Sequence, residues 1–177
     1  MSSEQGVGGS NPSGRTSQTI RIIIMSSSER PRVVLVNRCI IEDDGRLLVV
    51  RRAADDNRGA GLWEIPGGKL DSGQDLPTAL QREVKEETGL SVEPASPLVY
   101  ANSYVIPDGP YEGLPYVLLV HIGRIVSGTT CAVTLSHEHD EFAWDSHERS
   151  LRRQLTPESE KALRLFDPLT LTFGAGR

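Results

Sequence analysis

Apolar positions along this chain fall into short runs whose period changes from strand-like to helical and back. Residues 33–41 (VVLVNRCII) and 46–52 (RLLVVRR) are apolar runs around an Asp43-Asp44-Gly45 turn, the pattern of a β-hairpin. Residues 53–61 read as a loop, and residues 62–65 (LWEI) as a short strand that Pro66 ends. The spacing then predicts a helix over residues 76–88, with Asp75 as its N-cap, Pro77 and Thr78 in its first turn, and Gly89 as a left-handed C-cap. Residues 98–106 and 116–126 read as strands joined by a loop, and residues 141–145 as a further short strand. A second helix is predicted over residues 156–166, capped by Thr156 with Pro157 behind it. Strands, helix, strands, helix is the order of an α+β or α/β sandwich.

Composition narrows this picture. The chain has 177 residues, enough for one domain with a sizeable core. A net charge of −5 argues against coating a nucleic-acid polymer or an anionic membrane. No apolar run approaches the ~18 residues that span a bilayer. Residues 20–25 are too short for a secretory signal, and Arg21 interrupts them. The two cysteines, Cys39 and Cys131, lie in strand-like segments and read as buried free thiols of a cytoplasmic protein. Residues 1–29 have a disordered composition, and Met25 is a second plausible start. The expected organisation is a folded domain over residues 30–168, followed by a flexible tail at 169–177.

The chemistry concentrates in residues 67–90, GGKLDSGQDLPTALQREVKEETGL. Glu83, Glu86 and Glu87 stand at i, i+3 and i+4, and so share a helix face. Three like charges so placed repel unless a cation joins them, and Mg²⁺ is the usual ion where phosphates are also bound. Alone, the three glutamates are explained as a solvated helix face. The glycine pair, the Arg82-Glu83 pair and the spacing to Gly89-Leu90 make the pattern specific.

This segment resembles the Nudix box, G-x5-E-x7-R-E-U-x-E-E-x-G-U with U bulky and aliphatic, the motif of the MutT-like Nudix hydrolases. Every fixed position matches except the first Glu, which is Gln74. The resemblance is strong over the box and looser, by order of elements, over residues 33–166. It implies an α/β/α sandwich, a mixed sheet held between helices. It also implies a Mg²⁺-dependent hydrolase, with Mn²⁺ able to substitute, in which water attacks a pyrophosphate phosphorus of a nucleoside diphosphate linked to another moiety. Carried over by position, Glu83, Glu86, Glu87 and the Gly67 carbonyl would hold the metal. Arg82 would orient a box carboxylate, and Glu83 or a later glutamate would activate water. Gln74 keeps the shape and an acceptor oxygen but loses the charge.

Outside the box, Glu138 and Glu141 are the candidates for a late acidic contact or base. His137 and His139 read as solvated loop residues, and Trp144 as core. Arg51 and Arg52 end a strand where similar enzymes meet substrate phosphates, and alternation sends one inward and the other to solvent. Trp63 and Tyr104 are candidates to stack a nucleobase. The expected partner is a small nucleotide, and the expected state a monomer or homodimer. The favoured reaction converts a nucleoside triphosphate, oxidised ones included, to monophosphate and pyrophosphate. The alternatives are an ADP-ribose or nucleotide-sugar pyrophosphatase and a catalytically weak nucleotide-sensing domain.

Overall fold

A computed structural model describes residues 32–57, 59–127 and 132–168. The expected extension at 1–29, the alternative start at Met25, Cys131 and the tail at 169–177 lie outside the described residues. The elements in chain order are β1 (Val34–Asp43), β2 (Arg46–Arg52), β3 (Trp63–Glu64), α1 (Leu76–Thr88), β4 (Ser91–Val105), β5 (Pro115–Ser127), β6 (His139–Asp145), α2 (His147–Ser150) and α3 (Pro157–Leu165).

The hairpin forms, but only the two pairs beside its turn are made: Glu42 faces Leu47 and Asp43 faces Arg46. β1 then runs parallel to β5 from the Val34–Tyr116 pair to the Ile41–Gly123 pair. β2 instead pairs antiparallel with β6 and, at Val50 and Arg51, with β3. The sheet order is β3-β2-β1-β5-β4, with β6 added on β2, so the sheet is mixed.

Apolar residues that alternate along these strands feed two cores. On one face Cys39, Ile41, Leu48 and Val92 pack against Leu80 and Val84 of α1. On the other, Ile40, Leu47, Ile65 and Val120 pack against Ala162 and Leu163 of α3. The sheet is therefore held between helices, the α/β/α arrangement expected. Cys39 is a buried free thiol, and burial pushes its pKa up. No helix among the described residues is long and apolar enough to cross a membrane.

Three elements differ from expectation. β6 begins at His139 rather than 141. β4 begins at Ser91 rather than 98, with a register shift between Ala95 and Tyr100. α2 is a single turn capped by Ser146, too short to leave a periodic signal.

Candidate active site

The site begins at the Pro66-Gly67-Gly68 segment, which docks on β1. The carbonyls of Pro66 and Gly68 accept hydrogen bonds from the Cys39 and Asn37 amides at 2.8 and 2.9 Å. Gly67 adopts φ 133°, and a Cβ there would overlap the Asn37 backbone. α1 follows, with the Asp75 carboxylate accepting from the Thr78 amide at 2.8 Å. Its far end closes on left-handed Gly89. Ala79, Leu80 and Val84 seat the helix in the core. The adjoining helix face turns toward a cleft of about 630 Å³ that Glu83 and Glu87 line together with Gly67, Gly68, Arg38 and Glu138.

The three box glutamates have different surroundings. Glu87 is 6% exposed and accepts the Gly67 N–H at 2.8 Å. Burial pushes its pKa up to about 7, only partly offset by His139, Arg38 and that N–H. Glu83 is also raised by burial, against the opposing charge and hydrogen bond of Arg82. Glu86 does not line the cleft and takes Arg82 Nη1 at 3.0 Å. Arg82 Nη2 donates to Glu83 at 2.9 Å. Arg82 thus bridges two box carboxylates, and Gln74 Oε1 stands 3.4 Å from the same Nη2.

The flanking arginines separate as strand alternation requires. Arg52 turns inward to Glu64 at 2.8 Å and Asp56 at 2.6 Å. Arg51 lies outside the cleft, paired with Asp140 at 2.7 Å and Glu141 at 2.6 Å. Arg51 and Glu141 thus neutralise one another at the surface, outside the cleft, and of the two late candidates Glu138 is the one that lines it. Trp63 is also outside the cleft. It is buried, with the Arg153 guanidinium 3.6 Å from its ring centroid and Arg51 at 5.9 Å, which makes it a packing residue. Tyr104 does line the cleft, stacked on Tyr116 with centroids 4.6 Å apart. His139 is buried against Glu64 at 3.2 Å rather than solvated. Trp144 packs against the α1-side core as expected.

Sequence reasoning missed Arg38, Lys69, Tyr111, Tyr116 and Glu158, which all line the cleft. Only Arg38 left a signal, as a charge inside the apolar run of β1. It is held by Glu64 at 2.8 Å and donates to the Ile65 carbonyl at 2.7 Å. Burial opposes its charge, but Glu64 and Glu87 more than compensate and raise its pKa. Glu64 is 1% exposed. Burial alone would raise its pKa, yet Arg38, the His139 hydrogen bond and Arg52 together bring it down to about 2.

Among the described residues, no three Asp, Glu, His or Cys side chains form a ready-made cation cage. The donors nevertheless suit a hard divalent ion. They are carboxylate oxygens, two of them on one helix face, and Glu87 is a buried acid that a nearby positive charge would ionise.

A NUDIX domain model matches residues 29–166. The chain is 28% identical over 146 residues to a CTP pyrophosphohydrolase of Escherichia coli K12, covering 76% of this chain and 92% of that protein. It is 28% identical over 131 residues to an E. coli nucleoside triphosphatase, NudI, covering 71% and 91%. The solution structure of the E. coli ORF135 protein superposes with a TM-score of 0.62 at 28% identity, covering 82% of this chain and 96% of that one. A mixed sheet held between helices is the fold this chain shares with that structure. The chain belongs to the NUDIX family and is a Nudix hydrolase.

Proposed function

We propose that this hydrolase is a Mg²⁺-dependent pyrophosphohydrolase of nucleoside triphosphates, releasing a monophosphate and pyrophosphate. The observation that carries the reading is the placement of Glu83 and Glu87 together on the cleft wall beside Gly67 and Gly68. Relatives named for CTP and nucleoside triphosphate hydrolysis support the substrate class.

Glu83 and Glu87 would hold the ion, with Glu86 able to join by rotating from Arg82, and the Gly67 carbonyl lying between two carbonyls committed to β1. A bound divalent ion neutralises phosphate charge and acidifies water. The protein's own groups do the rest. Lys69 brings positive charge to the cleft for the polyphosphate, beside Arg38 and Arg52, whose charge Glu64 and Asp56 already share. Glu83 and Glu138 are the carboxylates placed to take the proton of the attacking water. Tyr104 and Tyr116 supply an aromatic wall for the base.

The test is product release from a panel of nucleoside triphosphates, ADP-ribose and nucleotide sugars, with Mg²⁺ or EDTA, for the wild type, Glu83→Gln and Glu87→Gln. Metal-dependent pyrophosphate release, lowered at least ~100-fold in both variants, is expected. Turnover restricted to nucleotide sugars would move the substrate class. Nucleotide binding without turnover would make Gln74 the mark of a sensing domain.

A further inference from the structure

At Arg82 one end of the guanidinium faces more acceptors than it has hydrogens, while the buried Nε has no partner. Nη2 carries two hydrogens and faces four acceptors: Asp71 Oδ2 and Glu83 Oε1, both at 2.9 Å, and the Lys69 carbonyl and Gln74 Oε1, both at 3.4 Å. Of the two nearer acceptors, Glu83 is also a carboxylate the cation needs. Any movement of Glu83 toward a cation withdraws one partner from Nη2. The guanidinium must then be held by something else, because Nη1 alone, on exposed Glu86 at 3.0 Å, fixes only one end of the fork.

At the position where the box pattern has a glutamate, Gln74 is neutral and lies at the longer distance. The nearest charged alternative to Glu83 on Nη2 is Asp71, three residues earlier in the same turn. That turn is closed by the Gln74 amide donating to the Asp71 carbonyl at 3.2 Å. Gly73, between them, takes φ 86°, which fixes the path of the turn.

We propose that Asp71 is a positioning residue that replaces the missing box carboxylate. It holds Arg82 when Glu83 and Glu86 turn to the cation, so that Arg82 does not compete for them. The inference rests on the metal-dependent reading of the site given above. Asp71 also lines the cleft; the role assigned to it runs through Arg82 and Glu83 rather than through a bond of its own to the cation.

The experiment compares the full chain with Asp71→Asn, Asp71→Glu and the double variant Asp71→Asn/Gln74→Glu. Two quantities are read: Mn²⁺ affinity, from electron paramagnetic resonance titration of free ion, and kcat and KM on the fastest nucleotide of the panel. The side chain of Asp71 is two-thirds exposed, so the fold should tolerate each change, and thermal melts in EDTA confirm it. Asp71→Asn should lower Mn²⁺ affinity and kcat about 10-fold, as loss of a partner behind a metal ligand does, with KM little changed. Asp71→Glu should recover most of that loss. Returning the carboxylate at position 74 in the double variant should bring both quantities to within about threefold of wild type.

Unaltered Mn²⁺ affinity in Asp71→Asn would overturn the proposal, as would a double variant no better than the single one. The titration needs no turnover. Wild-type Mn²⁺ binding that depends on Asp71, without hydrolysis of any nucleotide, would retain the role of Asp71 and refute the hydrolytic reading alone. Absence of Mn²⁺ binding in the wild type would sink both.

Discussion

Glu87 can be tested by stability, without substrate. Its folded pKa of about 7 lies above the ordinary 4.5, so folding favours the protonated acid. Ionisation of Glu87 in the metal-free protein therefore works against the fold. The penalty is absent below the unfolded value, grows as pH rises from 4.5 toward 7, and is complete above that. The displacement corresponds to about 3 kcal/mol at pH 8 and under about 1 kcal/mol at pH 5. Glu87→Gln removes the charge and keeps an oxygen to accept the Gly67 N–H. In EDTA the variant should therefore be more stable than wild type at pH 8, by up to about 3 kcal/mol, or on the order of 10 °C in Tm. The gain should fade at pH 5. Adding Mg²⁺ should reverse the ranking, because only the wild type gains from binding. Urea melts at pH 5, 6, 7 and 8, with and without the ion, measure this directly. A variant less stable than wild type at pH 8 in EDTA, or a gap that ignores pH, would refute the claim that burial of this carboxylate dominates its energetics.

Other outcomes follow from the same geometry. Gly68→Ala places a Cβ against the Glu83 carboxylate while its backbone remains ordinary; kcat should fall at least ~10-fold through displacement of that carboxylate, with Tm little moved, and a fully active variant would contradict the close approach. Glu64→Gln leaves Arg38 and Arg52 without their shared charge and should cost about 3–5 kcal/mol near neutral pH by urea unfolding. Because the folded pKa of Glu64, about 2, lies below 4.5, its contribution is full above pH 4.5 and is lost as pH falls toward 2, so the gap to the variant should close over that window. Asp75→Ala removes the α1 N-cap and should cost about 1 kcal/mol, read by thermal melt.

The parts of the molecule legible in the sequence are those specified locally. α1 is bounded by Asp75, Pro77 and Gly89, each acting within a few residues, and its limits fall where those residues place them. The first seven residues of β4 are not legible in this way. Glu93 and Pro94 argue against a strand, and the pairing of residues 91–95 with β5 overrides them. The box glutamates could be read as a group, but not their division into two that line the cleft and one that does not, because that depends on how the packing of Ala79, Leu80 and Val84 turns α1 toward the cleft. Arg38 and Tyr116 come together only through the parallel β1–β5 pairing, which joins segments some 80 residues apart and has no local signature. The side-chain chemistry of Trp63 and Arg51 suits ligand contacts, but Arg153 occupies the first and Asp140 and Glu141 the second, partners that no local pattern announces.

The separation of β1 from β2 has a consequence for how the enzyme can vary. Beyond two pairs the strands part, and residues 66–70 take the vacated edge of β1 through the Cys39, Asn37 and Leu70 amides and the Val36–Lys69 bridge. The glycine segment beside the carboxylates is thus stitched into the sheet. It cannot lengthen or swing without breaking those bonds, and its amide partners on β1 should exchange with solvent as slowly as core strand amides. Adaptation to new substrates is thereby displaced onto stretches such as residues 106–114, which bring Tyr111 to the cleft and can be rewritten while the reacting end stays fixed.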